Sequence, residues 1–488
     1  MKVVAANRQL GVKMDLFIGR KQELDSLNFL LKKSSASLVV IKGRRRIGKS
    51  RLIQEFGKKL KMYFFSGLPP TDKTTKQTQL DEFGWQLGHA FNEPAFKEES
   101  WNDLFLRLAT RTRAGRVVIV LDEISWMGSK DSDFVGKLKN AWDLEFKKNP
   151  ELILILCGSV SAWIEKNILS STGFLGRVSL SLTLEPLSLV ECNTFWGAQK
   201  NRISAYEKFK VLAVTGGIPK YLEEIQPSLS AEDNIKRLCF QSSGLLFNEF
   251  EHIFTDIFGK KSEVFKRILE VIREGYCDYQ AICQQLKIEG SGVVSEYLDE
   301  LVKSGFLKRD FTWHLLTGKA SKLSHYRISD NYLRFYLRCI QPVKDKVLQG
   351  RFEDKSLATL PGWDTLMGLQ FENLVLSNRA LLLPLLNLKP DEIVSDNPFF
   401  QTKTARQEGC QIDYLIQTRM NSLYICEIKF SKSCIQPSVI HEVQQKIQRL
   451  KIPKNISYRP VLIHVNGVSP EVVDQQYFSH IIDLSQFF

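Results

Sequence analysis

No CxxC pair occurs anywhere in this sequence. Its nine cysteines are an odd number, scattered from Cys157 to Cys434 without short paired spacings. That pattern argues against a disulfide framework or a zinc site and fits a reducing cytoplasm. Long apolar runs are also missing. The longest, at residues 152–157 (LILILC) and 380–386 (ALLLPLL), fall far short of the roughly 20 residues a membrane-spanning helix needs. The opening residues, MKVVAANRQLGVKMDLF, lack the apolar stretch of a secretory leader, and Met14 is a candidate alternative start. Internal repeats and low-complexity tracts are absent. Acids are the minority charge, 54 Asp+Glu against 67 Lys+Arg, for a formal net charge of +13. The excess favours an anionic partner, nucleic acid or a membrane surface, and charge alone does not choose between them.

What is present is ordinary globular material: 488 residues, 43% hydrophobic and 25% charged. The length suggests about three domains. Residues 37–42 (SLVVIK), 117–121 (VVIVL) and 152–156 (LILIL) are short continuous apolar runs separated by helical stretches. Such runs suit a parallel sheet covered on both faces, and the predicted class is an open α/β sheet. After Pro186 the pattern turns mostly helical, with a break at Gly216-Gly217-Ile218-Pro219. The reading divides the chain into an α/β core (15–188), a helical lid (189–258), a winged-helix segment (259–340) and a second α/β domain (345–488).

Gly43-Arg44-Arg45-Arg46-Ile47-Gly48-Lys49-Ser50 fits GxxxxGK[ST] between an apolar run and a helix. Its glycines let the backbone N–H groups curl toward phosphate oxygens. Lys49 is placed to reach the β and γ phosphates, and the Ser50 hydroxyl to ligate Mg²⁺. The run VVIVL ends in Asp122-Glu123. Asp122 is expected to order the Mg²⁺ shell and Glu123 to polarise the attacking water. Ser159, after the third run, either orients that water or is a plain strand-to-loop serine. Lys42, Arg44, Arg45, Arg46, Lys49 and Arg51 put six cations in ten residues, more than a triphosphate needs. Some are expected to meet nucleic acid or a neighbouring domain.

Phe17-Ile18-Gly19-Arg20 with Glu23, GRRRIGKS, VVIVLDE, CGSVSAWIEK, Gly176-Arg177 and GGIPKYL follow one another in order. Together they resemble the archaeal-type ATPase family of the AAA+/STAND-like branch over residues 17 to 222. The resemblance implies a P-loop sheet with ATP and Mg²⁺ as ligands. It places the segment carrying Gly19 and Arg20 against the adenine and closes Pro219 over the base. Arg177 becomes an arginine finger or γ-phosphate sensor. A finger acting in trans would need an oligomer. Ser50 stands where the family more commonly has Thr, and the hydroxyl is kept.

Further along, residues 262–272, 279–286 and 293–304 show helical spacing and lead into a hairpin-like stretch, the order of a winged helix. Val294, Tyr297, Leu298 and Leu301 are expected in its core. The third helix carries Glu296, Asp299 and Glu300 but no base over residues 293–302, so a protein contact is favoured over base reading. Near the end, Asp413 and Glu427-x-Lys429 lie on two strand-like segments joined by a short turn, and Glu372 lies on a preceding helix. Glu427 and Lys429 share a strand face. Asp413, Glu427 and Glu372 are candidate ligands for a divalent metal, with Lys429 beside the chemistry. The pattern resembles the PD-(D/E)xK nuclease-like fold, with Ile412 where the motif usually has Pro. The same archaeal ATPase family commonly carries such a domain after its wing, and Tyr326-Arg327-Ile328-Ser329-Asp330 and Leu333-Arg334-Phe335-Tyr336 match a further family block. Residues 401–460 hold ten Lys/Arg and four Asp/Glu, two of them proposed ligands. Lys446 and Arg449 are candidate phosphate contacts. The function expected is a cytoplasmic ATPase acting on DNA, with a metal-dependent nuclease-like domain. The alternative is a nucleotide switch whose last domain only binds a partner.

Overall fold

The computed structural model describes residues 17–258, 261–288, 292–352, 355–405 and 407–488. Met14 lies outside them. The apolar runs read above become strands because they are buried on both faces. These are β1 (Ser37–Gly43), β3 (Val117–Asp122) and β4 (Leu152–Gly158). Two further strands complete the sheet, β2 (Lys61–Ser66) and β5 (Val178–Leu184). Their order is β2-β3-β4-β1-β5, and β2/β3, β3/β4 and β4/β1 pair in parallel. β5 carries no continuous apolar run, and the run of β2, MYFF, is mostly only half-buried. β5, VSLSLTL, alternates half-buried and exposed positions, as an edge strand does.

The described chain separates into two compact units. The first comprises described residues through 42, then 48–158 and 167–183. The sheet and its helices form it, around an aromatic cluster of Phe83, Trp101, Phe105 and Phe134. Thr75 and Ser100 cap the helices Lys76–Phe91 and Trp101–Arg111 that deliver the first three rings, and Phe134 opens helix Phe134–Leu144.

The second unit comprises residues 43–47, 159–166 and 184–488. Helices dominate it up to Glu249–Phe258. Helices Ser262–Ile272, Tyr279–Leu286 and Gly292–Lys303 follow, with β6 (Cys277–Asp278), β7 (Leu307–Trp313) and β8 (Ala320–Ile328). The three strands pair antiparallel in the order β6-β8-β7. Val294, Leu298 and Leu301 are buried as expected, and Tyr297 is half-buried against the Phe265 ring. A five-stranded mixed sheet closes the chain: β9 (Ile393–Gln401), β10 (Cys410–Thr418), β11 (Ser422–Lys429), β12 (Ser457–His464) and β13 (His480–Asp483). Helix Ser438–Arg449 lays Val439, Val443 and Ile447 on it. Trp313 and Leu315 of the preceding hairpin enter the same core, and the Trp313 indole donates to Gln417 at 2.5 Å. Hairpin and last sheet therefore share one core.

Candidate nucleotide and carboxylate–lysine sites

In the first unit, helix Lys49–Gly57 begins after Gly48 at φ +94°, a conformation natural to glycine. Lys49 is buried at its first position. The Ser50 hydroxyl lies 3.3 Å from Asp122 Oδ2 and donates to it, across the end of β3. Asp122 Oδ1 accepts from the Glu123 N–H at 3.0 Å. Glu123 itself has φ +48°, a strained setting for a side-chain-bearing residue, and precedes the short helix Ile124–Met127. Hydroxyl and carboxylate adjoin here as hard-oxygen donors, a set that suits Mg²⁺.

Cys157 is a site residue that sequence reasoning passed over. Its neighbour Leu156 pairs with Leu121, so the thiol follows β4 to the level of Asp122. Burial pushes the thiol far above its ordinary range, and Asp122 pushes it further, against the pull of Lys49. A thiol that keeps its proton is a donor, and Asp122 is its acceptor. The only signal in sequence was its place between LILIL and Gly158-Ser159.

Arg177 is engaged by Asp143. Its Nε lies 3.0 Å from both carboxylate oxygens, and one Nη lies 2.8 Å from Oδ2. That guanidinium holds the Asp143 carboxyl well below the usual carboxylate range. Gly19 and Arg20 have positive φ at the start of helix Lys21–Leu30, and Arg20 pairs with Glu23 at 3.2 Å.

In the second unit lie Gly43, Arg44, Arg45, Arg46 and Ile47. Gly43 has φ +150°, and a Cβ there would stand 2.7 Å from the Leu184 carbonyl oxygen, so no other residue fits. The arginines on either side of Arg45 have carboxylate partners. Arg44 is buried against Asp330 and within 3.3 Å of the Tyr221 hydroxyl, with its guanidinium 5.3 Å from that ring's centroid. Arg46 pairs with Glu249 at 2.7 Å, and Tyr221 donates to the same Glu249 at 2.9 Å. Burial works against charge on Arg44, but Asp330, Tyr221 and Glu249 outweigh it and hold the guanidinium protonated. The part of the arginine run at 44 and 46 thus meets carboxylates far along the chain, within the same unit. Of the remaining expected residues, Ser159 is buried and its carbonyl accepts from the Ser161 N–H at 3.0 Å. Pro219 opens helix Pro219–Leu222.

The C-terminal carboxylates do meet. Tyr414 pairs with Cys426, which sets Asp413 beside Glu427 on adjacent strands. The cation between them is Lys446, from helix Ser438–Arg449. Its Nζ lies 2.6 Å from Glu427 and 3.3 Å from Asp413. Lys429 Nζ lies 3.1 Å from Glu427 and 2.7 Å from Glu442, one turn before Lys446. Asp413 also accepts from the Ile428 N–H at 3.0 Å. Burial, then Asp413, raises the Glu427 carboxyl. The two carboxylates outweigh the burial of Lys446 and hold its ammonium above its ordinary range.

Glu372 departs from expectation. It sits on helix Trp363–Ser377, where its carboxylate accepts from the Tyr276 hydroxyl. Burial, then the charge of Asp413, pushes its carboxyl up to about 7. Among the described residues, no three acidic, histidine or cysteine side chains gather as a metal cage. The carboxylates expected to share a metal instead have protein partners here, Tyr276 for Glu372 and Lys446 for Asp413 and Glu427. Arg449 pairs with Glu408 at 3.4 Å.

Residues 17–225 match the protein family described as an ATPase domain predominantly from Archaea. An uncharacterized protein of Methanocaldococcus jannaschii is 24% identical over 364 residues, covering 73% of this chain and 76% of that one. An uncharacterized ATP-binding protein of the same organism is 42% identical over 48 residues, 9% of this chain and 81% of its own length. Among solved structures, the Walker-type ATPase of Pyrococcus abyssi superposes with a TM-score of 0.47 at 16% identity, over 66% of this chain and 96% of that one. No helix of the described residues is long and apolar enough to cross a membrane.

Proposed function

We propose, from the premise that this chain belongs through residues 17–225 to the ATPase domain family found predominantly in Archaea, that it couples ATP hydrolysis to action on DNA. The Ser50–Asp122 hydrogen bond at 3.3 Å carries the first half of this reading. It joins the end of a GxxxxGKS loop to a strand-end carboxylate, the pair that would hold Mg²⁺. When bound, that ion would neutralise phosphate charge. Lys49 binds the β and γ phosphates. Glu123 orients the attacking water and takes up its proton, while Asp122 is kept in place by its donors. Arg177 stabilises charge that builds on the leaving group, for which it must first release Asp143. Arg177→Ala should then lower kcat with little change in nucleotide affinity.

The second half rests on the last domain. Lys429 and Lys446 stand beside Glu427 in a segment where bases outnumber acids ten to four. With the antiparallel three-stranded module read as a winged helix before it, this domain is the DNA-facing part. Asp413 and Glu427 do not make a three-ligand cage with Glu372, and no cleavage step is derived through a metal there.

The nuclease-like reading keeps one specific support: Asp413, Glu427 and Lys429 are brought together as its motif requires. The competing reading, a binding module that no longer cuts, is supported by Lys446 standing between the carboxylates. ATP turnover measured with and without duplex DNA, at several salt concentrations, tests the proposal. DNA should stimulate turnover at low salt and lose that effect as salt rises. Turnover indifferent to DNA at every salt would overturn it. Supercoiled plasmid with Mn²⁺ separates the two readings of the last domain.

A further inference from the structure

Between β8 and β9, inside the second unit, lies a cavity of about 720 Å³. Its lining mixes aromatic and cationic groups: Tyr279, Tyr326, Phe400, Arg309 and Lys322. Cys410 is also part of the lining. The expected function used none of these residues.

Three features bear on what the cavity takes. Arg309 is a fixed platform. Its Nε donates to Ser324 Oγ at 2.9 Å, and its guanidinium lies 4.6 Å from the Phe311 ring centroid and 5.3 Å from that of Tyr326. An exposed guanidinium plane backed by rings is a surface on which a base stacks. Lys322 is exposed and, among the described residues, makes no ion pair. Asp278, the acid in the lining, is committed to capping helix Tyr279–Leu286 through the Ala281 N–H at 2.8 Å. The recess presents Arg309 and Lys322 beside π-faces, with Asp278 in the lining turned to its cap and Asp299 near Tyr326 as the opposing charges.

The third feature is what lies next door. The Cys410 thiol donates to the Lys446 carbonyl oxygen at 3.2 Å, and the Lys446 ammonium is the cation shared by Asp413 and Glu427. Cavity and carboxylate–lysine site are thus one residue apart. On the other side of Thr402, a second depression of about 940 Å³ is lined by Lys403, Arg449 and Lys451 against Glu408. Gln401 ties the two depressions together, donating to the Arg449 carbonyl and accepting from the Lys451 N–H at 2.7 and 2.8 Å.

We propose that this cavity takes an unpaired nucleotide, so that the last domain engages single-stranded DNA, or a frayed end, in preference to intact duplex. The proposal rests on the DNA reading above. A recess of this volume admits one base with its sugar but not a base pair within a double helix. Phosphates on one side of that nucleotide would follow Lys403, Arg449 and Lys451, and those on the other would approach Lys446 and Lys429. The acid-rich helix Gly292–Lys303 is not asked to read a groove in this arrangement.

The test uses the full chain with a labelled 20-nucleotide oligothymidylate and a labelled 20-base-pair duplex at one low salt concentration. Wild type is expected to bind the single strand about tenfold more tightly, the scale of one stacked base with its cation. Arg309→Ala combined with Lys322→Ala should remove that preference and leave duplex binding within about twofold. Both positions are exposed, and an unchanged melting curve confirms the fold. Tyr279→Leu, which keeps the apolar volume, should lose part of the preference. Equal affinity of wild type for the two DNAs, or a double variant that weakens both alike, overturns the proposal and leaves the DNA reading standing. Failure of wild type to bind either DNA overturns both.

Discussion

The phosphate loop and the C-terminal carboxylate pair face mirror-image charge problems. At the loop, cations are crowded into a few residues, and two of the arginines are held by carboxylates, Arg44 by Asp330 and Arg46 by Glu249. At the C-terminal site, carboxylates are crowded on adjacent strands, and a lysine from the following helix sits between them. Crowded like charge survives in each case because partners distant in sequence neutralise it. The difference lies in what stays available. The loop retains a hydroxyl and a carboxylate in contact, fit for a metal–nucleotide complex, whereas the C-terminal site already has its cation built in. Two acidic motifs of similar appearance in sequence are thus differently prepared for a metal.

The comparison can be broken most forcefully at Lys49. Lys49→Ala should lower ATP turnover by roughly a hundredfold or more, since the phosphate-loop lysine supplies a cation at the transferring phosphate. Asp413→Ala should leave turnover within about twofold, as the two sites are independent in this account. A large loss in Asp413→Ala would show that the sites are coupled. Glu123→Gln should retain nucleotide binding while turnover falls by roughly a hundredfold, the usual worth of a positioned base. Trapping of labelled ATP by that variant checks it.

Much of this was legible in the sequence, for identifiable reasons. β1, β3 and β4 announce themselves because strands covered on both faces are continuously apolar. β2, KMYFFS, and β5, VSLSLTL, do not, because only one residue of each is fully buried. The loop and Asp122-Glu123 were readable because phosphate chemistry fixes residue types at short spacings. Asp413 and Glu427 were readable because a short turn sets a hairpin register. Lys446 was noticed only as a basic residue, since nothing in spacing says that a helix crosses back over a hairpin. Glu372 was assigned by chemistry and helix alone. The partner that occupies it, Tyr276, comes from a module earlier in the chain.

Smaller effects sharpen the comparison. Glu427→Ala would leave the Lys446 ammonium with Asp413 alone. The expected loss of stability is about 1–3 kcal/mol, below the full value for an enclosed pair because Lys446 is partly exposed. Urea titration measures it, and Glu427→Gln should recover part of the loss. Glu372 gives a pH signature. Its carboxyl is raised to about 7 in the fold, so the folded protein holds a proton that the unfolded chain releases above its ordinary value near 4.5. Stability should therefore fall as pH rises through that window. Glu372→Gln should be more stable than wild type at pH 8 and similar to it at pH 4. An advantage that does not change with pH would remove Glu372 as the source. The smallest change is expected from Cys157→Ser. It keeps a donor toward Asp122, and turnover should stay within about threefold of wild type, while Cys157→Val should cost more.

The Arg44–Asp330 pair also bears on where this protein can be cut. The segment recognisable as an ATPase ends at 225, yet the counterion of an arginine inside its phosphate loop comes from residue 330, the same aspartate that caps helix Asn331–Phe335. A fragment trimmed at the recognisable border would carry the whole motif and still lack Asp330, Glu249 and the Phe306 ring, 6.0 Å from the guanidinium. Heredity and autonomy part company here. The smallest portion of polypeptide in which the loop keeps its native surroundings reaches past helix Asn331–Phe335. Insertions or exchanges upstream of that point would be felt at Arg44 and Arg46.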